Sequence, residues 1–153
     1  MLSVRDGDRY LPIAVDSPAA RLATDPFARL DRVSQLHSAA NGKLLQAWMP
    51  LLEPEAMLAR LPMPVITSQT ITNRAALVQE LIQVRNQGWA MNDHENHPDI
   101  QTVSVPVFDG LHRCVAALGL SDVAERIDPK QGLPVLLRES KDLTRRIAGA
   151  DIP

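Results

Sequence analysis

The sequence predicts an α+β domain in which helices pack on an antiparallel sheet. Three observations lead there. Val103, Val105 and Val107 alternate with Thr102, Ser104 and Pro106 in the period-two pattern of a strand. Asp6-Gly7 and Asp109-Gly110 each join two apolar runs as hairpin turns do. Capped amphipathic stretches lie between and after the two hairpins.

Leu2 to Val15 reads as the first hairpin, with Leu2, Val4, Ile13 and Val15 as its alternating apolar positions. Asp16 to Leu36 carries Pro18 and Pro26 with weak periodicity, which predicts a connection with one short helix. Ser38 is placed as the N-cap of a helix through Trp48, stopped by Pro50. A second short helix is expected from Glu53 or Pro54 to Arg60, ended by Leu61-Pro-Met-Pro64. Thr72 or Asn73 caps the clearest helix, Arg74 to Gln87, whose stripe is Leu77, Leu81 and Val84 and whose C′ residue is Gly88. The second hairpin follows. With Asp109 and Gly110 as central turn residues, Thr102 faces Ala117, and parity puts Thr102, Ala117, Gly119 and Ser121 on one face. That face carries hydroxyls and a glycine where a packed core would prefer Leu, Ile or Val. Asp122 to Ile127 is expected as a helical turn, and Pro134 opens a closing helix with Val135, Leu136, Leu137, Leu143 and Ile147 as its apolar positions.

A chain of 153 residues is most simply one domain, residues 1–153, able to bury roughly 70% of the surface its unfolded form exposes. Apolar residues make up 45% of it, but the aromatic ones are limited to Tyr10, Phe27, Trp48, Trp89 and Phe108. The interior is therefore aliphatic, and stacking platforms for single-stranded nucleic acid are lacking. Sixteen basic against 18 acidic residues give a formal charge of −2 without a basic stripe, which weighs against direct binding of phosphate backbones. Cys114 is the one cysteine, which excludes an internal disulfide and a Cys-based zinc cluster and suits a reducing compartment. With neither a signal peptide nor an apolar run of membrane-spanning length, the expected setting is the cytoplasm, away from membranes.

The segment Ser38 to Lys43 is one candidate site. The first N–H groups of a helix have no intrahelical partner and carry the positive end of the macrodipole, so they attract carboxylates and phosphates. Ala39 and Ala40 are small enough to let a ligand reach them. Gly42 costs about 1 kcal/mol in a helix relative to alanine, which points to close packing against the sheet or a bound molecule. A helix start that packs tightly without a ligand fits the same residues. Lys43 is read as a solvated surface lysine. In Asp93-His94-Glu95-Asn96-His97 the two histidines are not at the i, i+4 spacing of a zinc helix, and Pro98 argues for a polar loop. Ser121, His37 and Asp93 are the one set that could be assembled into a catalytic triad, yet no nucleophile-elbow pattern surrounds a serine, so no enzyme is expected. His37 is read as structural, and Cys114 as a core residue on the strand face opposite Gly119.

Two runs, Leu36-His-Ser-Ala-Ala-Asn-Gly-Lys43 and Gly88-x3-Asn92-x2-Glu95-x6-Thr102-Val-Ser104-x2-Val107-Phe108-Asp109, resemble the C-terminal effector-binding domain of IclR-type bacterial transcriptional regulators. The resemblance extends from Leu2 to about Ala148 and implies a GAF-like fold that binds a small metabolite, often a carboxylate or aromatic acid, with no cofactor or metal. The family's ligand positions fall on Ala40, Asn41, Asn92, Ile100, Thr102, Gly119 and Ser121. The family usually has Asp or Ser at position 92, Cys, Ser or Ala at 102, and in some members Ser at 119. The hydrogen-bonding set thus differs, and the effector's identity does not carry over. The resemblance also implies a homodimer or homotetramer, and contact with DNA only through a winged helix-turn-helix. No part of this chain resembles that module, and the strand at Leu2 is expected to follow a missing upstream segment. The alternative is a structural oligomerisation module with a vestigial pocket.

Overall fold

The computed structural model describes residues 1–7, 9–16, 36–49, 58–123 and 128–149. Among these residues five strands form one antiparallel sheet: β1 (Leu2–Asp6), β2 (Arg9–Ala14), β3 (Ala90–Asp93), β4 (Ile100–Phe108) and β5 (Cys114–Val123), in the order β2-β1-β5-β4-β3. Helix α1 (Ala40–Ala47) covers one face with α2 (Arg74–Gln87) packed against it, and α3 (Leu133–Gly149) covers the other behind a 3-10 turn at Pro129–Gly132.

Two apolar clusters follow from this layering. Ala39, Ala40, Leu44 and Leu45 meet Leu77, Leu81 and Val84 of α2 over Ala90 and Ala117 of the sheet. On the far side Val103 and Val105 pack with Leu136, Leu133 and Leu118. The two faces of β4 therefore belong to different cores, as the period-two pattern requires.

The helix Arg74–Gln87 forms as expected. Asn73 accepts from the Ala76 amide at 3.1 Å, and Gly88 closes the helix at φ +84° with its N–H on the Val84 carbonyl. The first hairpin also forms, turning at Gly7 with φ +58°, but its faces are reversed. Ser3 and Tyr10 are buried, whereas Leu11 and Ile13 are 50% and 54% exposed. The sheet face under α1 is lined with small polar residues, so an apolar-inward rule picks the wrong parity. Ser38 does not cap α1. The chain makes a turn over residues 36–38, and the N-cap is Ala39 with no side-chain cap bond. In α3, Leu136 and Ser140 are buried while Val135, Leu137 and Ile147 are exposed. Residues 122 and 123 continue β5, so no helical turn begins at Asp122. Residues 58–60 are helical; the rest of that predicted helix, and the connection expected over Asp16 to Leu36, lie mostly outside the described residues.

The β4–β5 connection is longer than a two-residue turn. The Asp109 carboxylate accepts from the amides of Leu111 and Arg113, each at 2.9 Å, and from Arg113 Nε at 2.7 Å, and it is held below the usual carboxylate range by those bonds. Thr102 consequently faces Ser121 rather than Ala117. A bulge at Val107/Phe108 pairs Phe108 with Cys114, which moves Cys114 onto the Gly119 face and into the α1-side cluster. Helix α3 also bonds the backbone at the end of β4. Thr144 Oγ1 accepts from the Phe108 amide at 3.0 Å, and Ser140 Oγ donates to the Pro106 carbonyl.

Candidate functional site

The register builds a polar floor beneath α1. Asn92 pairs with Thr102, Thr102 with Ser121, and Ser104 with Gly119. All of these, with Ile100, share one face because side chains alternate along each strand. Thr102 Oγ1 and Ser121 Oγ are 2.8 Å apart. Ser104 is fully buried, and its hydroxyl has no partner.

Helix α1 lies across this floor against β3, β4 and β5. Asn41 sits over Gly119 so closely that a Cβ added there would meet Asn41 Oδ1 at 2.5 Å. Its Nδ2 donates to Ser3 Oγ at 2.8 Å, while the buried Oδ1 has no hydrogen-bond partner. The fit of Asn41 over a bare glycine lets the helix start approach the strand. Gly42 serves a different contact from the one expected: its missing side chain makes room for the Leu36 backbone, 2.7 Å from where a Cβ would stand. At its far end α1 is held by Arg85, which donates to the Ala47 carbonyl at 3.0 Å, and by an edge-on contact of Trp48 with Phe108.

The seven expected residues are thus brought to one face of the sheet and the helix above it, with different commitments. Ala40 is buried in the α1-side core and Ile100 is buried on the sheet. Asn92 folds its own loop, its Oδ1 accepting from the amides of Glu95 at 2.8 Å and Asn96 at 3.1 Å.

Lys43 corrects the sequence reading outright. It is 1% exposed, not solvated, and its Nζ lies 2.5 Å from Glu95 Oε1 and 2.9 Å from Glu80 Oε1. Burial pushes the Glu95 carboxyl above its ordinary range, opposed by the Lys43 ammonium. No pattern within ten residues of Lys43 announces partners that come from α2 and the β3–β4 loop. Ser3 and Ser104 were also missed, although Ser104 shares the strand parity of Thr102 and could have been read from it. His37 is buried, with Nε2 3.1 Å from the Pro64 carbonyl; a carbonyl can only accept, so Nε2 carries the proton and the buried Nδ1 is left unpartnered.

A cleft of about 450 Å³ opens elsewhere, between Thr67, Ser68 and Gln69 on one side and Asp93, His94 and Pro98 on the other. It contains none of the seven residues. Among the described residues no cluster of three or more His, Cys, Asp or Glu could hold a metal, and no helix is long and apolar enough to cross a membrane.

A family model described as bacterial transcriptional regulator IclR C-terminal matches residues 1–148. The chain belongs to the IclR family. It is 34% identical over 116 residues to the HTH-type transcriptional regulator XynR of Escherichia coli K12, covering 76% of this chain and 46% of that protein. The chain spans about half the length of the curated relatives it matches, and these relatives are regulators rather than enzymes. Among solved structures, the C-terminal domain of E. coli KdgR superposes with a TM-score of 0.80 at 25% identity, over 96% of this chain and 85% of that one. The inducer-binding domain of PobR from Acinetobacter, solved as a double mutant with 3-hydroxybenzoic acid, shares the fold with a TM-score of 0.84 at 21% identity, over 94% of this chain and 85% of that one. This chain therefore carries the C-terminal domain of the IclR family, built over the described residues as an α+β domain on a five-stranded antiparallel sheet.

Proposed function

We propose that this domain senses a small carboxylic or hydroxy acid held between the start of α1 and the hydroxyl face of β4–β5. The observation that carries the reading is the Thr102–Ser121 hydroxyl pair, 2.8 Å apart on the face that α1 covers. Two hydroxyls can share one hydrogen bond and still offer another donor and further lone pairs to a ligand. The amides of Ala40 and Asn41, at the positive end of the helix, suit the acid group. Asn92, Ile100, Gly119 and Ser121 complete the proposed set, with Asn92 acting through the loop it folds. The 3-hydroxybenzoic acid bound by PobR indicates a ligand class that this fold accommodates.

Ligand binding biases the packing of α1 on the sheet, and through it the geometry of a homodimer or homotetramer. DNA is reached through a winged helix-turn-helix outside residues 1–153, not through this domain. A thermal-shift screen of small carboxylic and aromatic acids tests the reading, since a ligand at a hundred times its Kd adds about 2.7 kcal/mol. Ala40→Leu and Thr102→Val should each abolish the shift of any hit. Hits that survive both substitutions unchanged would remove the site from this face.

A further inference from the structure

We propose that Lys43 is the positioning residue of this site: its buried ion pair with Glu95 fixes the rotation of α1 about its own axis, and with it the direction of the Ala40 and Asn41 amides. The consequence for an effector rests on the functional reading above; the rotation itself does not.

All eight residues of α1 are buried. A helix enclosed on every side has no polar stripe to dictate which face points where, and its close fits, Asn41 over Gly119 and Gly42 against Leu36, both lie in its first turn. Polar anchors supply the missing information. Residues two apart on a helix point about 200° from one another, so Asn41 and Lys43 pull on nearly opposite sides. Asn41 is tied to Ser3 of β1, and Lys43 to Glu95 in the β3–β4 loop and Glu80 of α2.

Glu95 is a firm mooring. Its amide is held by Asn92 Oδ1 at 2.8 Å, and its carbonyl accepts from Thr70 Oγ1 at 2.7 Å. With Lys43 1% and Glu95 6% exposed, neither charge can turn to solvent, and separating them would strand the Glu95 carboxylate in the interior while Lys43 kept Glu80. Stability alone does not call for such a pair, since apolar residues of similar volume usually replace one at little loss. What an ion pair adds is direction, because the ammonium is confined to the side of α1 on which Glu80 and Glu95 lie.

The test uses the whole chain and needs no ligand. Lys43→Met alone leaves Glu80 and Glu95 facing each other without a cation, so the decisive variant is Lys43→Met with Glu95→Met, which refills the space with apolar atoms. Its melting temperature should return towards that of the parent. The residual dipolar couplings of the Ala40–Ala47 amides should nevertheless no longer fit the parent orientation, while those of α2, β4 and β5 still do. A purely structural pair would recover both, and α1 couplings that fit the parent orientation in the double variant overturn the proposal. If that variant does not fold, Glu95→Ala, in which Lys43 keeps Glu80, decides by the same couplings. A rotated α1 together with a blank ligand screen would defeat the effector reading alone; an unmoved α1 in a variant that still binds 3-hydroxybenzoic acid as the parent does would defeat this proposal alone.

Discussion

Gly119→Ala probes the contact that seats α1 on the sheet. The added methyl would lie 2.5 Å from Asn41 Oδ1, 3.3 Å from its Cγ and 3.4 Å from its Nδ2. An amide end could swing aside in open space, but Asn41 is 1% exposed and tied to a fully buried Ser3. Moving it breaks that bond and leaves Ser3 Oγ unpartnered. Overpacking of this kind costs about 1–3 kcal/mol, and an orphaned buried hydroxyl about 1–3 kcal/mol. Against these stands a gain of roughly 0.5–1 kcal/mol from removing a glycine in a strand. The net loss is about 1–5 kcal/mol, or roughly 2–20 °C in Tm for a domain of this size. Urea and thermal unfolding of Gly119→Ala, Asn41→Ala and the double variant form a cycle in which the second substitution should cost far less in the presence of the first. Additive costs, or a Gly119→Ala protein as stable as the parent with the Asn41 side-chain resonances unmoved, would refute the close seating.

Three further outcomes follow from the same contacts. Burial holds the His37 pKa below its ordinary value; the unfolded chain then binds the proton more tightly, so the stability this residue contributes is present above about pH 6.5 and lost as pH falls from there through the lowered folded value. His37→Gln should flatten the pH dependence of urea unfolding across that window. Thr144→Val removes the acceptor of the Phe108 amide at the bulge and should cost about 1 kcal/mol, or roughly 2–4 °C in Tm by calorimetry. Burial raises the pKa of the Cys114 thiol to about 12, so alkylation followed at pH 8 should run roughly a thousandfold slower than for an ordinary cysteine, and an ordinary rate would contradict its burial.

The fold was legible in the sequence to the extent that it is written in local periodicity. The helix from Arg74 to Gln87 carries its cap, stripe and closing glycine between Asn73 and Gly88, and each does what its chemistry dictates. The expected β4–β5 pairing was off by four residues because Asp109 organises a longer connection than the Asp-Gly signal suggests. An even error preserves the faces, so Thr102, Gly119 and Ser121 still came out together. Cys114 did not survive, because it lies beyond the bulge. The first hairpin was misread for a different reason: Ser3 is turned inward to meet Asn41, and a partner 38 residues away leaves no trace in the local pattern. The same holds for Lys43, whose burial depends on Glu80 and Glu95, 37 and 52 residues distant. The cap, stripe and closing glycine of a long helix can be read from neighbours, whereas buried ion pairs and interlocking small residues are properties of the assembled layers.

The most direct measurement is an amide NMR titration of the domain with the hits of a carboxylic and hydroxy acid screen, 3-hydroxybenzoic acid included. Shifts should concentrate on Ala40, Asn41, Thr102, Gly119 and Ser121, with smaller ones reaching the loop folded by Asn92. Shifts confined to Thr67–Gln69 and Asp93–Pro98, where the open cleft lies, or no saturable shifts from any of these acids, would contradict an effector site beneath α1.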